Sequence, residues 1–169
     1  NLLEAKKLGF NQLLTFGGAF SNHIAATAAA GKLHGFKTIG LIRGEELKDK
    51  IDTNATLRFA KNCGMELHFI SREAYREKNN SLFIEDLKNK FPSTYVVPEG
   101  GTNDLAINGC KEILFDQCDE FNFIASAIGT GGTIAGLIEA SKPHQHLLGF
   151  PSLKEKKKKK EVENLTKKR

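Results

Sequence analysis

Two short stretches of this sequence place glycines and small polar side chains where an anion or a flat ring can approach the backbone. The first is Ile128-Gly129-Thr130-Gly131-Gly132-Thr133, which follows an apolar run and opens a helical pattern. Glycines remove the Cβ barrier, so successive N–H groups can converge on one anion. The helix that follows adds the partial positive charge of its N-terminus, and the two threonine hydroxyls are further donors. The composition is that of a phosphate-binding loop. A dinucleotide fingerprint would need glycine where Ile134 stands, and an NTP-binding loop would need a lysine directly after the glycines. A tight turn that only closes a strand onto a helix would use the same glycines, so that alternative stays open.

The second stretch is Phe16-Gly17-Gly18-Ala19-Phe20-Ser21-Asn22-His23. Again a strand pattern ends in glycines and a helix begins, with Ser21 a natural N-cap. Capping alone would account for Ser21, and a solvated first turn for Asn22 and His23. Three hydrogen-bonding side chains beside a glycine pair nevertheless exceed what a cap requires. Helix N–H groups at that place also favour a carboxylate.

Apolar runs of strand length alternate with helical patterns along the chain, the signature of βαβ units and a mostly parallel sheet. Strands are expected at 13–16, 38–42, 66–70, 95–97, 121–127 and 147–150, the fifth of them buried and fully apolar apart from Asn122 and Ser126. Helices are expected at 21–33, 53–62, 82–91, 103–118 and 134–140, with Gly64 closing the second. A further helical pattern covers 161–167. The chain opens without methionine, on what reads as the middle of an amphipathic helix, and the expectation is a piece of a longer protein.

The formal net charge is +5, but residues 154–169 alone hold nine basic and three acidic side chains, a net of +6. The other 153 residues carry 16 basic and 17 acidic groups and sum to −1. The basicity therefore belongs to a tail and not to a folded nucleic-acid-binding face, and no nucleic-acid partner is expected. The lysine-rich stretch 154–160 is expected to be mobile, with the run Lys156–Lys160 a solvated loop or disordered tail, because adjacent ammonium groups repel. Cys63, Cys110 and Cys118 are an odd number with no metal-like spacing, which fits free thiols in a cytoplasmic protein without structural zinc. His34, His68, His144 and His146 have the look of surface or strand-end residues, and Tyr75 and Tyr95 that of packing residues. No apolar run approaches the roughly 20 residues that cross a bilayer, so no membrane partner is expected.

Taken in order, Gly17 to His23, Pro98-Glu99-Gly100-Gly101-Thr102-Asn103 and Gly129 to Thr133 resemble three motifs of one family. This is the ACC deaminase (1-aminocyclopropane-1-carboxylate deaminase) and D-cysteine desulfhydrase branch of the pyridoxal-phosphate enzymes with the tryptophan-synthase-β-like fold, fold type II. The resemblance covers roughly residues 1–153. It implies an α/β fold of two parallel-sheet lobes, present here in part. Residues 16–93 would form the small lobe and residues 1–15 and 94–169 parts of the larger, with the cofactor between them.

The resemblance also implies roles. Gly129, Thr130, Gly131, Gly132 and Thr133 would hold the phosphate of pyridoxal 5'-phosphate, and Asn22 would bond the phenolic oxygen of its ring. Ser21 and His23 would face the substrate as catalytic groups, and residues 99–101 would line the cofactor. The reaction implied is deamination or elimination on a small amino acid, ACC or D-cysteine, to a 2-oxo acid and ammonia, in a homodimer. His23 stands where ACC deaminases tend to carry glutamine, which leans toward the desulfhydrase side. The family's Schiff-base lysine lies in an upstream Gly-Asn-Lys stretch that this sequence does not contain; Lys6 and Lys7 fall in a helical pattern instead. A non-catalytic phosphate-binding module is the alternative reading. Nucleic-acid binding through the lysine tail is a third.

Overall fold

The structure is a computed structural model that describes residues 1–152 and 158–166. Contacts divide the chain into two units, Asn1–Glu99 and Gly100–Arg169.

The first unit is built on a four-stranded, all-parallel sheet. Its strands are β1 (Gln12–Gly17), β2 (Lys37–Arg43), β3 (Glu66–Ile70) and β4 (Thr94–Val96), in the order β3-β2-β1-β4. The helices are α1 (Leu2–Lys7), α2 (Asn22–His34), α3 (Ala55–Asn62), α4 (Arg72–Arg76) and α5 (Ser81–Lys90). Five of the six residues of β1 are buried, as are the five central residues of β2. Such near-continuous burial is what helices on both faces of a parallel sheet impose. One core cluster joins Ile24 and Ala28 of α2 and Leu57 and Ala60 of α3 to Ile42. A second joins Leu14, Phe16, Ile39 and Leu41 to Tyr75 and Leu87 on the other side.

Local signals fix the helix ends. The Ser21 hydroxyl accepts from the Ile24 N–H at 3.3 Å, and the Asn54 side chain caps α3 through the Leu57 N–H at 2.9 Å. Gly64 follows α3 with φ +92°, the left-handed closing position that glycine occupies without strain. The sheet takes in residues on both sides of 16–93, because β1 begins at Gln12 and β4 runs from Thr94 to Val96. The contact boundary accordingly falls at Glu99 and Gly100.

The second unit holds α6 (Asp104–Lys111), β5 (Phe123–Ile128), α7 (Gly132–Ala140), β6 (His146–Pro151) and α8 (Lys158–Thr166), with β5 and β6 paired in parallel. Helices α6 and α7 pack closely, and a Cβ on Gly136 would sit 2.5 Å from the Cys110 Cβ. Three expectations are corrected here. The helix expected over 103–118 stops at Lys111, where the chain tightens: Glu112, Ile113 and Leu114 donate three residues back, to Gly109, Cys110 and Lys111. The strand β5 alternates between exposed and half-buried residues until Ile128, because its sheet has one other strand and one covering helix. Lys158–Lys160 start α8 and are not a solvated loop, while Lys156 and Lys157 lie outside the described residues.

Candidate functional site

The sheet order β3-β2-β1-β4 makes the gap between β1 and β4 a switch point, where the chain leaves one strand toward β2 and arrives at the other from the far side. Ligands of parallel α/β sheets bind at the carboxyl ends of strands at such points. Gly17, Gly18 and the start of α2 lie at that end of β1, and Val97, Pro98 and Glu99 lie at that end of β4.

The glycine at position 17 is required by close approach. A Cβ there would fall 2.4 Å from Cγ1 of Ile24 and 2.9 Å from Oγ of Ser21. The turn is closed by the Ser21 N–H donating to the Gly18 carbonyl at 3.1 Å. Ser21 is half-buried and already occupied as the α2 cap, Asn22 is exposed, and His23 is half-buried.

His23 is held by a residue that the sequence reading did not select. Oγ1 of Thr15 lies 2.6 Å from Nε2 of His23 and 2.9 Å from the Val97 carbonyl oxygen. Thr15 is completely buried. A carbonyl can only accept, so the single hydroxyl proton of Thr15 goes to Val97, and Thr15 must accept from His23. Nε2 of His23 therefore carries the hydrogen and Nδ1 is the bare, basic nitrogen. Burial lowers the His23 pKa below its ordinary value, against an opposing pull from the Glu99 carboxylate. His23 is thus a neutral imidazole of fixed tautomer at neutral pH.

Glu99 has a second function, as the acceptor of the Tyr75 hydroxyl, and Lys78 stands 3.4 Å from its other oxygen. Burial, with that carboxylate beside it, raises the Tyr75 pKa far above the usual range, so this phenol keeps its proton and donates it to Glu99. Tyr75 does pack, against Phe16 in an edge contact, yet its hydroxyl also ties α4 to the exit of β4. The signal for Thr15 was present in the sequence as one hydroxyl inside the run Leu13-Leu14-Thr15-Phe16. The Tyr75–Glu99 pair, 24 positions apart, left no local signal.

In the second unit the loop Gly129–Thr133 joins β5 to α7. Gly131 has φ +99°, which favours glycine, and stands at the N-cap of α7. A Cβ added at Gly129 would meet nothing within 4 Å, so the approach to the loop is open there. Gly132 and Thr133 are the first residues of α7, whose N–H groups have no intrahelical acceptor. The turn at 100–102 interlocks with this loop. Oγ1 of Thr102 is 2.5 Å from that of Thr130, a Cβ on Gly100 would fall 2.3 Å from Oγ1 of Thr130, and one on Gly132 would fall 2.9 Å from Oγ1 of Thr102. Two of the three motifs, 28 residues apart at this contact, are therefore one structure. An open loop of glycine N–H groups at a helix N-terminus, braced by a second turn, fits a phosphate group. The helix α8 backs the loop, with Val162 packed against Ile128 and Ile134.

No family model matches the chain. A Thermotoga maritima protein provisionally named 1-aminocyclopropane-1-carboxylate deaminase is 35% identical over 145 residues, 80% of this chain and 45% of that protein. The Arabidopsis thaliana mitochondrial protein named bifunctional D-cysteine desulfhydrase/1-aminocyclopropane-1-carboxylate deaminase is 29% identical over 151 residues, 80% of this chain and 38% of its own length. Among solved structures, an ACC deaminase homologue matches 98% of this chain and 53% of its own with a TM-score of 0.72 and 26% identity. A pyridoxal 5'-phosphate-dependent aspartate racemase, 19% identical, shares the fold alone, with a TM-score of 0.66. The chain spans about half the length of the relatives it matches. Its α/β fold with parallel sheets is that of the fold type II enzymes that use pyridoxal phosphate. Within that class, the chain belongs to the ACC deaminase and D-cysteine desulfhydrase family.

Proposed function

We propose that the complete protein is a pyridoxal-phosphate-dependent deaminase or lyase that converts a small amino acid to a 2-oxo acid and ammonia, from ACC directly or from D-cysteine with release of hydrogen sulfide. The observation that carries this reading is the glycine loop Gly129–Thr133, braced by Thr102 and opening at the start of α7. That loop would hold the cofactor phosphate through its N–H groups and the Thr130 and Thr133 hydroxyls. Bound there, pyridoxal phosphate supplies an electron sink for the bond broken beside the amino group.

The remaining work falls to the turn after β1. Asn22 would bond the phenolic oxygen of the cofactor ring, and the exposed start of α2 would orient the substrate carboxylate beside Ser21. His23 would take up or return a proton at Nδ1, since Nε2 is committed to Thr15. A homodimer in the cytoplasm is part of the same proposal.

The test is an absorbance spectrum of the full-length protein titrated with pyridoxal phosphate, followed by borohydride reduction and peptide mapping. A new visible band and one modified lysine are expected, with ammonia released from ACC or D-cysteine on mixing. Absence of both the band and the modified lysine would leave a phosphate-binding module without this chemistry.

A further inference from the structure

A cavity of about 250 Å³ in the first unit is lined by Arg43, Arg72, Tyr75, Arg76, Lys78 and Glu99. Four cations face one carboxylate. That carboxylate is already engaged, since Glu99 accepts from Tyr75 and pairs with Lys78 at 3.4 Å. Arg72 is engaged as well, by Glu46 at 2.6 Å on the exposed surface. Glu73, on the same helix as Arg72 and Arg76, is exposed and makes no ion pair with either among the described residues. Arg43 and Arg76 make no ion pair among the described residues.

Arg43 is nonetheless well placed. It ends β2, its guanidinium lies 5.5 Å from the centre of the Tyr75 ring, and Lys78 lies 5.0 Å from the same ring. Tyr75 is buried and its hydroxyl is fixed by Glu99, so the ring is a rigid seat for the cation. Nη2 of Arg43 comes within 3.6 Å of the point where a Cβ on Gly18 would stand. The cavity thus adjoins the turn that leads into Ser21, Asn22 and His23. Converging cations repel one another unless an anion lies between them. Guanidinium forks match planar or tetrahedral oxyanions in two hydrogen bonds at once.

We infer that Arg43, Arg76 and Lys78 form an oxyanion subsite beside the Gly17–Gly18 turn, separate from the phosphate loop at 129–133. Its ligand is a carboxylate, sulfate or phosphate group, either free or carried as a second acidic group by the amino acid that occupies the turn. The inference does not depend on pyridoxal phosphate being bound.

Inorganic sulfate is the probe, titrated calorimetrically into the full-length protein with and without pyridoxal phosphate. Saturable binding is expected, weakened about tenfold in Arg43→Gln and in Arg76→Gln, as the loss of one charge-assisted contact implies. Arg43→Lys, which keeps the charge and loses the fork, should fall between, and the arginine effects should persist with pyridoxal phosphate present, when the phosphate loop is occupied. Unchanged affinity in both arginine variants, with and without pyridoxal phosphate, overturns the inference. Displacement of sulfate by amino acids with a second acidic group, and not by alanine, assigns the subsite to a substrate; displacement by neither assigns it to a free anion. Sulfate bound through Arg43 in a protein that shows no cofactor band would defeat the proposed reaction and leave this subsite standing.

Discussion

Where the one hydroxyl proton of Thr15 goes decides what His23 can do. Donation to Val97 leaves the imidazole with a single basic nitrogen, Nδ1, and burial keeps it uncharged. The lowered pKa has a consequence for stability. Between the ordinary histidine value of 6.5 and the lower folded value, the unfolded chain binds more protons than the native one. Stability should therefore fall as pH drops below about 6.5, and His23→Gln should flatten that decline. Urea unfolding across pH 5–8 for both proteins reads this out, and parallel curves would contradict it. At this scale the sequence was informative where chemistry and local position coincide: Ser21, Asn22, His23 and the glycines of 129–133 stand out as types and spacings. The hydroxyl of Thr15 and the motif residue Glu99 were visible as types, but the contacts Thr15–His23 and Tyr75–Glu99 left no local signal, since they exist only once β1, β4 and α4 are neighbours.

Two glycines, each inside a helix, separate packing from propensity at the scale of the element. In α2, a Cβ on Gly31 would lie 2.2 Å from Cγ2 of Thr38 on β2, whereas one on Gly109 in α6 would meet nothing within 4 Å. The same substitution should act in opposite directions. Gly31→Ala gains helix propensity but forces the helix off the sheet, and overpacking of this kind costs about 1–3 kcal/mol. Gly109→Ala keeps only the gain, about 0.5–1 kcal/mol of added stability. Denaturant midpoints of the two variants measure the difference, and a common sign would mean that packing does not control Gly31. Elements were legible wherever periodicity and caps agreed, as for 66–70, for α2 between Ser21 and Gly35, and for α3 before Gly64. They were misjudged where apolar residues continue past a helix end. Ile113 and Phe115 prolong the pattern of α6, yet both are exposed and the backbone has already changed its hydrogen bonding.

For the molecule as a whole, the two units differ in how fully they bury their sheets. The strands β1 and β2 are covered on both sides, whereas β5 and β6 leave Phe123 at 65% and Phe150 at 61% exposure. A two-stranded sheet is marginal by itself, and apolar surface of this kind attracts partners. Expressed alone, the 169-residue chain should bind a hydrophobic dye and sediment as more than one species. Phe123→Ser with Phe150→Ser should reduce both effects, and unchanged dye binding would place the exposed surface elsewhere. Among the described residues no helix is long and apolar enough to cross a membrane. The basic run enters a helix at Lys158, so the backbone of Lys158–Lys160 belongs to α8.

The position of β1 at the centre of its sheet also has a meaning in time. Its contacts to β4 join residues 82 positions apart, as in Gln12 to Thr94 and Thr15 to Val97. A ribosome adds roughly 5–20 residues per second, so one edge of β1 waits on the order of 4–16 s for the strand that will cover it. During that interval the nascent chain presents the run Leu13-Leu14-Thr15-Phe16 as an open, aggregation-prone edge, and β4 ends its exposure.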